Sequence, residues 1–213
     1  MFIPHDAVLV EVLDPDLRAH VLPEELSALG ERAVDIRRRD FSLGRHCARE
    51  ALAILGADVG PILIGPSREP LWPKAVCGSI THCQGYWAAA VAWKSNVRSI
   101  GIDAEPLRRL PRNVVKLIAT EAEIRRNEQA TDGLPWDAIL FSAKESVYKA
   151  WFPIVGKWLG FEQVEIEFLP ATNEFRAYID PGDSAAPPGL REVHGRYEIG
   201  SGHIFTCTYV MSK

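Results

Sequence analysis

Two acidic clusters hold the residue types that could do chemistry. Asp103 and Glu105 lie in Ser99-Ile100-Gly101-Ile102-Asp103-Ala104-Glu105, and Glu145 lies in Phe141-Ser142-Ala143-Lys144-Glu145-Ser146-Val147-Tyr148-Lys149. The apolar run from Arg98 to Ile102 predicts a strand, and residues two apart on a strand face one side, so Asp103 and Glu105 can aim at one site. The second cluster has helical spacing: Phe141, Tyr148 and Phe152 share a face, with Glu145 in the middle of that stripe. An ionised carboxylate is expensive to bury unless it is paired or bound to a cation. Lys144 and Lys149 flank Glu145, adding fixed positive charge. Three carboxylates and two lysines around one point suit a hard divalent cation, magnesium or manganese, that shares its oxygen ligands with a phosphate or pyrophosphate. Taken singly, Asp-x-Glu reads as a solvated strand end and Lys-Glu-x-x-x-Lys as a surface salt-bridge ladder. The functional reading comes from their joint pattern.

Those elements must be positioned by the rest of the chain. A strand is expected over Ala7–Leu13, a helix from Pro23-Glu24-Glu25-Leu26, and a second helix from Ser42 to Leu55 with Leu43, Cys47, Ala51 and Ile54 buried and Gly56 as its stop. Cys77–His82 and Tyr86–Trp93 read as strands around Gln84-Gly85, and the small residues Ala88–Ala92 invite a helix to pack closely. Asn113–Ile118 is helical, and Thr120-Glu121-Ala122-Glu123 is a capping box opening another helix. The Glu145 helix starts near Pro135, and Pro153 ends or bends it. Val164–Phe168, Phe175–Ile179, Tyr197–Ile199 and Ile204–Val210 alternate as antiparallel strands, the last pair turning at Gly200-Ser201-Gly202. The pattern by itself gives an α+β fold.

Composition narrows the function. With 47% hydrophobic residues, the 213-residue chain can build a proper core. A net charge of -4 argues against a broad nucleic-acid surface. Two basic islands nevertheless stand out, Arg37, Arg38, Arg39, Arg45 and Arg49, then Arg108, Arg109, Arg112 and Lys116, which points to a discrete anionic ligand or partner. Arg45 and Arg49 lie one turn apart, a spacing suited to a phosphate clamp. Cys47, Cys77, Cys83 and Cys207 form no Cys-x-x-Cys pair, no apolar run matches a membrane span, and the N-terminus lacks a secretory pattern, so a cytoplasmic protein is expected.

Gly101-Ile102-Asp103-Ala104-Glu105 followed by Ala143-Lys144-Glu145-Ser146-x-Tyr148-Lys149-Ala150 resembles the signature of the 4'-phosphopantetheinyl transferases of the surfactin and enterobactin type. Trp72-Pro73, Gly78-Ser79-Ile80-Thr81-His82-Cys83 and Trp151-Phe152-Pro153 resemble further blocks of that family in its order, and the likeness runs from Arg37 to Phe161 before it fades. The resemblance implies an α+β pseudo-dimer of two similar α/β halves with antiparallel sheets, 1–100 and 101–213, with the site between them. It implies transfer of 4'-phosphopantetheine from coenzyme A to a serine of an apo carrier protein, with release of 3',5'-ADP. By the same resemblance Asp103, Glu105 and Glu145 hold magnesium, Glu145 is the base, and Lys149 steadies the leaving phosphate. Coenzyme A falls to Arg37, Arg45, Thr81, His82, Asp103 and Lys144, with Ser67 and Arg68 in the loop Gly65–Pro73. There Ile64 and Ser67 stand where relatives often carry lysine, and Arg68 offers the charge instead. The carrier is expected to dock on Arg108, Arg109, Arg112 and Lys116. With both halves in one chain, a monomer is expected. The carboxylates and lysines alone would also permit a magnesium-dependent nucleotide or pyrophosphate hydrolase, and a non-catalytic carrier-binding module is a third reading.

Overall fold

The computed structural model describes every residue except 27, 28, 30–33, 183–186 and 188. The chain divides into two compact units, one of Ile3–Ile100 with Met211–Lys213, the other of Met1–Phe2 with Gly101–Val210.

In the first unit, strands β1 (Ala7–Val12), β4 (Val76–Cys83) and β5 (Tyr86–Trp93) form an antiparallel sheet of order β1-β5-β4, and β2 (Leu63–Ile64) and β3 (Pro70–Leu71) form a separate small hairpin. Helix α1 (Pro23–Leu26) is a single turn, and α2 (Asp35–Leu55) is the long helix of this unit. It begins earlier than its apolar stripe predicts. Arg37, Arg38 and Arg39 are good helix formers, and Asp35 places a negative charge in the first turn, where the helix dipole favours it. The helix stops at Gly56, whose φ of 75° belongs to the left-handed region. Its packed rows are Leu43-Cys47-Ala51 and Gly44-Ala48-Leu52. Ile54 belongs to neither four-spaced row and is 66% exposed, contrary to its expected burial. The alanines of β5 are fully buried, and Ala89, with Trp87 and Val91, packs in the cluster formed by this helix. Gly78 makes room for the Trp72 indole: a Cβ there would lie 2.7 Å from the ring.

The second unit is built on a five-stranded sheet of order β6-β10-β9-β8-β7, with β6 Val97–Pro106, β7 Val164–Leu169, β8 Glu174–Ile179, β9 Glu192–Gly200 and β10 His203–Met211. Burial alternates along its strands. Val164, Ile166, Phe175, Ala177, Ile179, Val193 and Tyr197 turn into the core, while Glu165, Glu167 and Arg176 turn out. Helix α5 (Trp136–Val155) covers that face through Ile139, Leu140, Ala143, Val147 and Trp151. Pro153 sits inside its last turn, and the helix ends at Gly156 with φ 67°. Helices α3 (Arg112–Ile118) and α4 (Glu121–Gln129) precede it, and Thr120 and Glu123 form the expected capping box.

Each unit therefore sets one long helix on an antiparallel sheet. The sheets differ in size, three strands against five, so the two halves share a plan rather than a copy.

Candidate active site

The strand β6 continues through Asp103 and Glu105, which are two apart and share its face as expected. Asp103 is buried and Glu105 half-buried. Helix α5 is brought onto this unit by small groups. Ser142 Oγ lies 2.9 Å from Thr206 Oγ1, and Ser146 Oγ lies 2.9 Å from Thr208 Oγ1, a buried hydroxyl ladder from helix to sheet. At Gly101 the approach is closer still. A Cβ would stand 2.0 Å from the Ser146 carbonyl oxygen and 2.6 Å from the Ala150 nitrogen, so only glycine fits beneath the helix.

This packing brings Asp103, Glu105, Glu145 and Lys149 together. The Lys149 ammonium donates to Asp103 Oδ1 at 2.6 Å and to the Ile102 carbonyl at 3.1 Å. Burial pushes the Glu105 carboxyl up to about 7; the Asp103 and Glu145 charges add to the rise, and Lys149 and, less strongly, Arg108 oppose it. Burial also raises Glu145, with Asp103 adding and Lys149 opposing. The three acids thus feel one another with one ammonium among them.

Magnesium is the cofactor that such a set implies, and the donor chemistry fits it. All three groups offer carboxylate oxygens, their charge exceeds what Lys149 balances, and a divalent ion would relieve the repulsion that raises Glu105 and Glu145. Among the described residues, no group of three or more His, Cys, Asp or Glu side chains is arranged to hold a metal ion. Lys149 is the cation that Asp103 already holds.

The Phe141–Tyr148–Phe152 face that carries Glu145 is half-buried rather than core. Phe141 packs on Phe161 with ring centroids 5.8 Å apart, and Tyr148 on Phe152 and Trp158 at 5.7 and 5.0 Å. The deeper row of α5 is Leu140-Lys144-Val147-Trp151, every member buried.

Lys144 is therefore a correction to the expected coenzyme contacts. Its ammonium is fully buried and donates to Glu123 Oε2 at 2.8 Å, the Ile118 carbonyl at 2.8 Å and the Phe161 carbonyl at 3.0 Å. An ammonium has three hydrogens, and these three bonds use them all. Burial lowers its pKa, and the Glu123 carboxylate opposes that shift.

The expected coenzyme residues of the first unit have varied settings. Arg37 is exposed on α2, whereas Arg45 is 6% exposed, donates from Nε to the Ile62 carbonyl at 2.8 Å and lies over the Phe41 ring. Burial brings its pKa down to about 10, so it stays charged near neutrality. Arg49, one turn on, grips Glu25 through Nη1 at 2.6 and 2.8 Å. Thr81 is buried and His82 exposed, as neighbours on a strand must differ. Ser67 and Arg68 are exposed in a loop closed by the Gly65 N–H to the Glu69 carbonyl, and Arg68 holds a left-handed φ of 69°. Of the second basic island, Arg108, Arg112 and Lys116 are exposed, and Arg109 lies 3.9 Å from Asp137 Oδ2 while remaining 61% exposed.

Comparison with known proteins decides what this arrangement belongs to. Residues 23–92 match the 4'-phosphopantetheinyl transferase N-terminal domain, and residues 99–199 match the 4'-phosphopantetheinyl transferase superfamily. The chain belongs to the 4'-phosphopantetheinyl transferase superfamily. Its relatives include 4'-phosphopantetheinyl transferase PptT of Mycobacterium tuberculosis, 44% identical across 87% of this chain and 84% of that protein. Npt of Nocardia iowensis is 48% identical across 72% and 68%, and Svp of Streptomyces mobaraensis 38% across 94% and 80%. The superfamily match reaches residue 199, well past Phe161, where the motif likeness fades. The activity of this transferase is transfer of phosphopantetheine to carrier proteins, with coenzyme A as substrate. None of its described helices is long and apolar enough to cross a membrane.

Sequence reasoning read Glu123 only as a helix cap and missed its bond to Lys144. The signal was present: Lys144 falls on the row of Leu140, Val147 and Trp151, and a lysine on an apolar row needs a buried anion.

Proposed function

We propose that this transferase moves 4'-phosphopantetheine from coenzyme A to a carrier serine in a magnesium-dependent reaction that releases 3',5'-ADP. The observation that supports this most is the gathering of Asp103, Glu105, Glu145 and Lys149 within one unit, with Glu105 and Glu145 both raised. A magnesium ion held by Asp103, Glu105 and Glu145 would neutralise negative charge on the pyrophosphate.

Glu145 takes the proton of the serine hydroxyl. Its burial raises its affinity for that proton, which suits a base working near neutral pH. Metal binding and proton transfer fall to different oxygens of Glu145, since one oxygen cannot serve both. The serine oxygen forms a bond to the phosphorus that carries pantetheine, and the bond from that phosphorus to the bridging oxygen breaks. Lys149 donates a hydrogen bond to the departing phosphate of 3',5'-ADP. Arg37, Arg45, Ser67, Arg68, Thr81 and His82 contribute coenzyme contacts, with the buried Arg45 orienting its part of the site through Ile62 and Phe41. The exposed Arg108, Arg109, Arg112 and Lys116 receive an acidic carrier.

Incubation with coenzyme A, magnesium and an apo carrier, followed by mass spectrometry of the carrier, tests the reading. Addition of one phosphopantetheine per carrier is expected. Phosphate or ADP release without any carrier would favour the hydrolase instead, and an unmodified carrier with no release would favour a binding module. Reversing Arg112 and Lys116 to Glu raises the carrier's KM and leaves coenzyme A affinity unchanged; an unaltered KM removes that docking surface.

A further inference from the structure

The buried ion pair of the second unit joins more elements than a cap requires. Glu123 Oε2 accepts from the Lys144 ammonium and the Thr120 N–H, both at 2.8 Å, and Oε1 accepts from the Ile166 N–H at 2.9 Å. Lys144 reaches Ile118, the last residue of α3, and Phe161 in the 3-10 turn Phe161–Gln163. Through two side chains, α3, α4, α5, β7 and that turn are pinned at one point. A cation on the terminal carbonyl of α3 also suits that helix end. Lys144 directly precedes Glu145, and α3 carries Arg112 and Lys116.

We propose that Lys144 and Glu123 are a positioning pair, which holds the Glu145 helix in register with the α3 segment and does not contact coenzyme A. The proposal rests on the reading of Glu145 as the base and of Arg112 and Lys116 on α3 as part of the docking surface. It differs from a phosphate-binding lysine in what should depend on it. A phosphate ligand controls coenzyme affinity, and Glu123 would be irrelevant to it. A positioning pair controls turnover, and its two members are interchangeable in effect.

The test uses the full chain with Lys144→Met, Glu123→Gln and the double variant Glu123→Leu/Lys144→Met. Removing one member strands a buried charge, whereas replacing both removes the charges together and leaves only the backbone groups of Thr120, Ile166, Ile118 and Phe161 without these partners. Each single variant is expected to lower the thermal midpoint by about 10 °C. Measured well below that midpoint, each lowers kcat by about tenfold with coenzyme A affinity unchanged. The double variant loses no more in midpoint and no more in kcat than the worse single variant, since the two members act as one unit. A tenfold loss of coenzyme A affinity in Lys144→Met alone, or losses of kcat in the single variants that multiply in the double variant, would overturn the proposal. A wild-type protein that leaves the carrier unmodified would instead overturn the function on which the proposal rests.

Discussion

Helix α5 carries two lysines, and each meets a carboxylate, yet the two regions around them are built in opposite ways. At Lys144 the charges close on each other: one ammonium, one carboxylate, every donor and acceptor engaged and the side chains sealed from solvent. At Lys149 one ammonium stands among three acids, the lysine keeps 26% exposure, and Glu105 and Glu145 hold their protons more tightly than ordinary carboxylates do. A closed network stabilises a fold. An open one with surplus negative charge suits the cation and the anionic substrate proposed for it. On the proposed function, the same residue pairing marks structure in one place and chemistry in the other, and the surrounding count of charges tells them apart.

The comparison is broken most sharply at Asp103. Asp103→Ala removes the partner of Lys149 and one proposed metal ligand, and is expected to lower kcat/KM by about a thousandfold or more with a melting midpoint near wild type. Residual activity within tenfold of wild type would mean that the open cluster is not the reaction centre. Next in size is Gly101→Ala. The added Cβ would collide with the backbone of Ser146 and Ala150, so a loss of about 3 kcal/mol in chemical denaturation is expected, together with reduced turnover as the helix is lifted from β6. Unchanged stability would show that the sheet can yield there. Thr206→Val, which removes one rung of the hydroxyl ladder, is expected to cost about 1 kcal/mol by the same measurement.

The pH dependence of Glu105 gives a finer distinction. In metal-free protein its folded pKa, about 7, lies above the ordinary 4.5, so the folded state binds the extra proton between those values. The contribution of the protonated group is fully present below about 4.5 and is lost as the pH rises through 7. Glu105→Gln mimics the protonated form throughout. Its stability should match wild type at the acid end of that window, exceed it increasingly up to about pH 7 and hold a constant advantage above that. A gap that stays constant with pH would mean that Glu105 is not held up by burial and its neighbours.

Much of this was legible before the structure was seen. The shared face of Asp103 and Glu105 follows from a period of two, and Thr120 and Glu123 announce the start of α4 by their spacing. The Ala88–Ala92 run likewise foretold the close approach of α2. Ile54 and Lys144 show where such reading stops. Helical periodicity says which residues share a face, but which of several faces is buried depends on the sheet beneath. The Phe141–Tyr148–Phe152 face is the more aromatic one, yet the smaller side chains around Ala143 and Ser146 allow the closer contact and so take the interior. Lys144 goes inward with that face, and its partner comes from α4, a long-range pairing that local spacing does not encode.

The most direct measurement is manganese binding followed by electron paramagnetic resonance, in the presence of coenzyme A, for wild type, Asp103→Ala and Glu123→Leu/Lys144→Met. One ion per chain in wild type and in the double variant, with loss of that site in Asp103→Ala, is the expected result. Equal binding by Asp103→Ala and wild type would contradict a cation held by the carboxylates of β6 and α5.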